Sequence, residues 1–148
     1  DVVLDPDTAH WDLVVSDDGK SVKPGDKRQD IPDIPQRFKQ QCCVMGREGF
    51  TSGRYYWEVE VVDAGGWTVG VCREDVKRKG HVEFKPEEGI WAVGKWAFLF
   101  KAYTSPDHTP IPDIQTPRCI RVSLDYEGEQ VAFFSVDEGV HIFTFARA

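Results

Sequence analysis

The stretch Tyr55-Tyr56-Trp57-Glu58-Val59-Glu60-Val61-Val62 decides the fold class of this chain. Read with a period of two, it places Trp57 and the residues at 55, 59 and 61 on one side, which is the pattern of a strand with one buried face. The turn-forming residues 63–66 follow, and a second apolar run, Trp67–Cys72, begins directly after them. The two runs together predict a β-hairpin.

Short apolar runs continue in both directions from this stretch, with glycine and proline between them. They lie at residues 2–4, 13–15, 21–23, 42–45, 89–94, 96–102, 118–124, 130–135 and 140–145. This makes about eleven strand candidates, and no window of about 12 residues has a helical period. Two proline-rich segments, 24–38 and 103–117, are predicted to be connections, the second an exposed loop. The pattern predicts an all-β fold, an antiparallel sandwich with loops at its ends.

Length and charge limit the function classes. With 148 residues and a hydrophobic fraction of 41%, the chain is predicted to form one domain. Its 18 basic and 25 acidic residues give a net charge of −7, which repels nucleic acid and anionic membranes. Neither a run of about 18 apolar residues nor a signal-peptide pattern is present. We therefore expect a soluble chain that binds no nucleic acid and does not insert into a membrane.

The cysteines, Cys42, Cys43, Cys72 and Cys119, have no CxxC spacing and no histidine at a ligand distance. This argues against zinc or another metal. Cys72 and Cys119 lie in apolar runs, as small buried hydrophobic residues do. We expect all four to be reduced and structural, in a reducing compartment.

No motif for catalysis is present in the sequence. The four histidines lie far apart in sequence, and neither a GxSxG nor a phosphate-binding glycine loop occurs. Asp125, Glu127 and Glu129 are either paired acid–base groups or the solvated turn of a hairpin, and the apolar strands around them favour the turn. The run Lys77-Arg78-Lys79 either holds a phosphate or is a solvated turn, and neighbouring carboxylates favour the turn. We expect neither an enzyme nor a bound cofactor.

Tryptophan is abundant, with five in the chain. Trp57 and Trp67 share their strand faces with valines and are predicted to lie in the core. Trp96 follows a predicted Gly94-Lys95 turn and begins a run with Phe98. It is either an exposed anchor for a protein partner or a cap on the core.

Three motifs resemble the signatures of the B30.2 domain, also called PRY-SPRY, of butyrophilins and tripartite-motif (TRIM) ubiquitin ligases. They are Leu4-Asp5-Pro6, Trp57-Glu58-Val59-Glu60 and Leu124-Asp125-Tyr126-Glu127, in the family's order. The resemblance implies one domain over residues 1–148, a bent β-sandwich of the concanavalin-like jelly-roll type. Its PRY part would cover residues 1–50 and its SPRY part residues 51–148.

The resemblance also implies a function. B30.2 domains are non-catalytic protein-interaction modules of immune-related proteins, which recognise targets through variable loops. In the TRIM proteins a separate RING domain is the ligase, and in butyrophilins the domain is the cytosolic tail of a membrane receptor. The resemblance thus implies a protein partner and a cytoplasmic location.

Candidate site residues follow from two members of the family. In one TRIM member, four residues contact an antibody, and by alignment they correspond to Thr68, Phe84, Gly94 and Trp96. Only at Trp96 does this sequence have the same residue. The basic pocket of a diphosphate-binding butyrophilin falls on Thr68, Glu83, Lys101 and Asp107, where one positive charge remains. We predict a partner-binding site at Thr68, Phe84, Lys95, Trp96, Phe98 and Lys101. The alternative is a sensor of a small phosphate-type ligand that uses Lys101 and Arg73.

Family members continue through a Pro-Phe-Phe segment to a final strand, whereas this sequence stops at Ala148. The expectation is a sandwich without its C-terminal strand. An open strand edge invites pairing with another chain, so a dimer formed through a strand or through the parent protein is a further hypothesis.

Overall fold

The computed structural model describes residues 2–25, 27–61, 66–96, 99–111 and 118–147, and of Trp96 it describes the backbone alone. The chain divides into two compact units. The first is Asp1–Gly49 with Lys77–Glu83, and the second is Phe50–Val76 with Phe84–Ala148. The prediction of one domain with parts at 1–50 and 51–148 stays a prediction.

The first unit contains four short strands: β1 (Leu4–Asp5), β2 (Leu13–Val15), β3 (Val22–Pro24) and β4 (Met45–Gly46). β1 pairs antiparallel with β4, and β2 pairs antiparallel with β3. The predicted strand at 42–45 is wrong for residues 42–44. There the backbone bonds elsewhere, because His10 N donates to Cys43 O at 3.1 Å and Met45 N donates to Thr8 Oγ1 at 2.9 Å.

The second unit contains the longer strands and two four-stranded sheets. The strands are β5 (Arg54–Glu60), β6 (Trp67–Cys72), β7 (Ile90–Trp96), β8 (Leu99–Ala102), β9 (Thr109–Pro110), β10 (Cys119–Asp125), β11 (Gln130–Ser135) and β12 (Val140–Ala146). One sheet has the order β12-β11-β10-β5 and the other β6-β7-β8-β9, and all neighbours are antiparallel. Helix is limited to two 3-10 turns, Pro6–Thr8 and Pro86–Glu88, among the residues described.

Both sheets of the second unit contribute to one hydrophobic core. Val93 and Ala102 come from one sheet and Val122 and Phe133 from the other, and all four are fully buried. Trp57 and Trp67 are half-buried and pack against this cluster, as predicted. The predicted all-β, antiparallel sandwich fold is confirmed.

A β-bulge in the last strand adds side chains to this core. Phe133 pairs with Phe143, but the next residue, Phe134, pairs with His141, so Ile142 is an extra residue on β12. Because of the bulge, Ile142 and Phe143 both lie against the core. His141 and Thr144 lie on the other face, where their side chains share a hydrogen bond of 2.6 Å.

The predicted hairpin between the opening stretch and Trp67–Cys72 is wrong. β5 pairs with β10, whereas β6 pairs with β7 in the other sheet. The register explains the preference, because Trp57 lies opposite Val122, apolar against apolar, on the core side. On the outer side Arg121 Nη2 donates to Glu58 Oε2 at 2.7 Å.

Two smaller predictions about this unit are also corrected. Gly94 and Lys95 do not form a turn but lie within β7, where they pair with Lys101 and Phe100 of β8. The segment 103–117, predicted to be loop, contains β9 at Thr109–Pro110. The strands predicted at 67–72 and 130–135 have the observed limits.

Replacing one of two adjacent phenylalanines of β11 tests the assignment of faces. Phe133 is fully buried, and its ring meets that of Phe145 edge-on at 6.2 Å, whereas Phe134 is half-buried on the outer face. We expect Phe133→Ala to lower the free energy of unfolding by about 3–5 kcal/mol because it leaves a cavity. The matched variant Phe134→Ala should cost about 1 kcal/mol. Urea titration measures both, and equal losses would contradict the face assignment.

Candidate functional site

Tyr103, directly after β8, is the centre of an aromatic cluster in the second unit. Its phenol oxygen lies 3.2 Å from Thr68 Oγ1, and its ring meets the edge of Phe84 with 5.6 Å between centroids. The ring of His108 lies edge-on to it at 5.0 Å, and Lys101 Nζ lies 5.3 Å from its centroid. We call these five residues, Thr68, Phe84, Lys101, Tyr103 and His108, the Tyr103 cluster.

The sheet places part of this cluster on one face. Thr68 pairs with Gly94, Gly94 with Lys101 and Lys101 with Pro110, so these residues form a row across all four strands. Paired residues of antiparallel strands project to the same side of the sheet. Because Tyr103 follows Lys101 by two residues, continued alternation directs its ring to the same side.

Glycine at position 94 leaves the space that the Tyr103 ring occupies. A Cβ atom on Gly94 would lie 3.0 Å from Tyr103 Cε2 and 2.6 Å from Thr68 Oγ1. Gly94 is buried and lies in the middle of the row. The missing side chain therefore lets the tyrosine lie against the sheet and reach the threonine hydroxyl.

The structure brings together three of the six residues predicted for the site. Thr68, Phe84 and Lys101 each contact Tyr103. Lys95 lies on the opposite face, because it pairs with Trp67 and Phe100, two core-packed residues whose rings are 5.6 Å apart. The backbone of Trp96 pairs with Leu99, and Phe98 lies outside the described residues.

The sequence reasoning missed Tyr103 and His108. Both were assigned to the predicted exposed loop 103–117, and neither was named as a site residue. The usable signal was the spacing of Lys101 and Tyr103, which extends the alternation of β8 by one step. Arg73, named for the alternative ligand site, pairs with Asp75 at 3.2 Å and is bonded through its backbone to Gly89.

A pocket of about 230 Å³ adjoins the cluster and shares Lys101 and His108 with it. Its remaining walls are Leu99, Phe100 and Pro110, and Leu99 is 63% exposed. Within the part of the chain that the structure describes, no carboxylate lies within 4.0 Å of Lys101 Nζ, whose contact is with the Tyr103 ring. The pocket thus combines apolar walls with two basic side chains.

A pocket of the first unit has a structural guanidinium beside it. It measures about 290 Å³ and includes Arg37, which is 4% exposed. Arg37 donates to the carbonyl oxygens of Ala9 at 2.8 Å and of Pro6 and Pro32 at 2.9 Å. Because its donors are directed at backbone carbonyls, Arg37 stabilises loops and offers little to a ligand.

The basic run at 77–79 is engaged within the first unit. Lys79 Nζ donates to Asp33 Oδ1 at 2.6 Å and to Ile34 O at 2.8 Å, and Arg78 donates to Gln36 O. The hydrogen bond from Lys79, with the charges of Lys79 and Lys39, holds the pKa of the Asp33 carboxyl below its ordinary value. These bonds favour a structural role for the run over a phosphate site.

The other chemical groups singled out in the sequence have ordinary structural roles. Asp125 and Glu127 lie at the turn between β10 and β11, where they accept hydrogen bonds from Gly128 N and Gly53 N. The four cysteines are thiols rather than disulfides, and burial raises the pKa of the Cys42 and Cys119 thiols. Among the residues described, no group of three or more potential metal ligands occurs.

The helices of the described chain are all too short or too polar to span a membrane.

Comparison with known protein families identifies the kind of domain to which the Tyr103 cluster belongs. The sequence matches the PRY model, the SPRY-associated domain, over residues 2–50 and the SPRY domain model over residues 54–148. The chain belongs to the SPRY family. The resemblance to PRY-SPRY domains is confirmed.

Close relatives of this PRY-SPRY chain are butyrophilins. It is 50% identical over 148 residues to butyrophilin subfamily 1 member A1 of Bos taurus, and 47% identical over 147 residues to the Homo sapiens protein. It is 46% identical over 149 residues to butyrophilin subfamily 2 member A2 of Homo sapiens. These alignments cover 100%, 99% and 100% of this chain and 28% of each relative, so the chain spans just over a quarter of their length.

Solved structures show the same fold at lower identity. The PSpry domain of TRIM65 superimposes with a TM-score of 0.83 at 22% identity, covering 98% of this chain and 77% of that chain. The stonustoxin structure superimposes with a TM-score of 0.80, also at 22% identity, covering 99% of this chain and 24% of that chain. The PRY-SPRY fold therefore persists while most side chains differ.

A methyl group at position 94 tests how the Tyr103 cluster is held. We expect Gly94→Ala to lower the free energy of unfolding by about 1–3 kcal/mol. The new Cβ would lie 2.6 Å from Thr68 Oγ1, 2.7 Å from the Trp67 carbonyl oxygen and 3.0 Å from Tyr103 Cε2, so the side chains of the cluster and the backbone of β6 would both have to shift. The matched variant Gly49→Ala, where no atom lies within 4 Å, should change it by less than about 0.5 kcal/mol. Denaturant unfolding measures stability and NMR shifts of Tyr103 report the displacement. Unchanged Tyr103 resonances in Gly94→Ala would contradict the packing described.

Proposed function

We propose that this domain is a protein-interaction module that recognises its target through the Tyr103 cluster and the adjoining pocket. The observation that carries the proposal is the concentration of partly exposed aromatic and apolar side chains there. Phe84 and Tyr103 are half-buried, His108 is exposed, and Leu99 is 63% exposed beside them. Protein interfaces concentrate binding energy in aromatic side chains of this kind at their centres.

The cluster is also held firmly enough to serve as a binding surface. Tyr103 is fixed by a hydroxyl contact with Thr68 and by ring contacts on two sides. A side chain that is already ordered loses less rotamer entropy when a partner binds. The row of paired residues under the cluster belongs to a four-stranded sheet, which is a rigid support.

The parent protein in this proposal is of the butyrophilin or TRIM type. The butyrophilin relatives at 46–50% identity favour a butyrophilin, in which the domain is the cytosolic tail of a membrane receptor with an immune-related role. The fold also resembles that of the TRIM65 domain, so the alternative parent protein is a ubiquitin ligase with a separate RING domain. In both cases the domain binds, is not itself catalytic and works in the cytoplasm.

A second candidate function is the sensing of a small phosphate-type ligand. The observation that favours it is the pair of basic side chains, Lys101 and His108, beside the pocket. Its volume of about 230 Å³ lies below the roughly 300 Å³ at which typical ligand pockets begin. Calorimetry with inorganic diphosphate tests this candidate, and the absence of measurable heat at millimolar concentration would remove it.

Photo-crosslinking from single positions tests the protein-binding proposal. With a benzophenone amino acid at Leu99, we expect specific partner bands in a cell lysate, because that side chain borders the pocket. The same group at Val140, which is 38% exposed at the start of β12, is the matched control and should not yield them. Crosslinking is read on gels and the bands are identified by mass spectrometry.

Competition with unlabelled domain separates specific capture from background. Wild-type domain and the Val140→Ala variant should suppress the bands from position 99 equally. A Phe84→Ala and Leu99→Ala double variant should need about 10-fold more protein or higher, since loss of interface anchors of this kind costs 1–2 kcal/mol or more. Equal suppression by the double variant, or the same bands from position 140, would refute the proposed surface.

A further inference from the structure

We infer that the pocket beside the Tyr103 cluster accepts an apolar side chain of the partner protein that is followed or preceded by Asp or Glu. This inference rests on the proposed function and adds the chemistry of the recognised segment. It comes from three properties of the pocket: the charge of Lys101 beside the His108 ring, its apolar walls and the blocked edge of its sheet.

The first property is the charge at the pocket. Lys101 and His108 line the pocket, and among the described residues neither has a carboxylate within 4.0 Å. Both lie instead against Tyr103, with Lys101 Nζ 5.3 Å from the ring centroid and the His108 ring at 5.0 Å. Contact with an aromatic ring leaves the hydrogen-bond donors of an ammonium group available for an acceptor. A partner carboxylate supplies that acceptor at short range.

The second property is the apolar part of the wall. Leu99, Phe100 and Pro110 form it, and the 63% exposure of Leu99 leaves apolar surface that a partner can cover. The volume of about 230 Å³ suits one buried side chain better than a drug-sized ligand. An inorganic phosphate would compensate the charge of Lys101 but would leave the leucine and proline surfaces in water.

The third property concerns how a peptide can bind at this edge. Among the residues that the structure describes, β9 is the outer strand of its sheet, is two residues long and ends in Pro110. Proline has no backbone N–H to donate, and a short outer strand with proline is a poor template for strand addition. Recognition at this edge therefore depends on side chains, which makes the sequence of the partner segment decisive.

A peptide selection tests the inference without assuming a sequence. A phage-displayed library of random heptapeptides is selected on the domain and, in parallel, on Lys101→Met. Lys23→Met, an exposed lysine of the first unit, is the matched charge control. We expect the wild type and Lys23→Met to enrich an apolar residue next to Asp or Glu. Lys101→Met should enrich apolar residues without the acidic neighbour.

Direct binding of one enriched peptide supplies the magnitude. NMR titration of the labelled domain should shift the amides of Leu99, Lys101 and His108. Replacing the acidic residue of the peptide by its amide should weaken binding about 10-fold, as should Lys101→Met, because a hydrogen bond to a charged group is lost. The two changes combined should cost little more than one, since both remove the same contact.

The outcomes separate this inference from the proposed function. Acidic enrichment that Lys101→Met abolishes supports the inference. Equal binding of the acidic and amide peptides overturns it, even if partners still crosslink from position 99. The inference is also overturned if the selection enriches no peptide and inorganic diphosphate shifts the amides of Leu99, Lys101 and His108. That result would indicate a small-anion site. Failure of both the selection and the crosslinking removes the proposed function as well.

Discussion

The register of β10 between β5 and β11 is the constraint on which the second unit depends. Val122, at its centre, lies opposite Trp57 on one side and Phe133 on the other, and its neighbours Ile120 and Leu124 repeat the arrangement along the core. A shift by one residue would turn these side chains outward and would bring Arg121 into the core. The ion pair between Arg121 and Glu58 marks the outer face in the correct register. Both side chains of this pair are exposed, so solvent screens their attraction and apolar burial sets the register.

In the sheet β6-β7-β8-β9, the surface depends on the missing side chain of Gly94. In the row from Thr68 to Pro110, Gly94 is the one position without a side chain, and the Tyr103 ring occupies the space above it. The ring in turn contacts His108 of the same loop and Phe84, which precedes β7 in the chain. The surface is thus assembled by one tyrosine lying over one glycine, and its chemistry changes with the residues placed around that tyrosine. This arrangement suits a fold that persists while most of its side chains differ.

Local patterns predicted the strands well but not their partners. The period of two in Trp57-Glu58-Val59-Glu60 is a property of neighbouring residues, so β5 and its buried face could be found from the sequence. Which strand lies beside it depends on contacts between residues 57 and 122, and proximity along the chain wrongly favoured the run at 67–72. The same limitation affected the site. Lys95 and Lys101 look alike in sequence, and only the pairing of β7 with β8 shows that they lie on opposite faces. Tyr103 was missed because it was assigned to a proline-rich loop, although its side chain continues the alternation of β8.

Charge gives the last constraint on how this surface can act. The chain carries a net charge of −7, so its long-range field slows the approach of an acidic partner. At physiological ionic strength charges more than about 8 Å apart are largely screened, which leaves Lys101 and His108 to act on a carboxylate at contact distance. Association would then proceed without electrostatic steering. Discrimination between partner segments would come from the dissociation rate, which is slowest for the segment that fits the pocket. A cation held over an aromatic ring beside apolar walls selects by such a mechanism, since charge and shape must match in the same place.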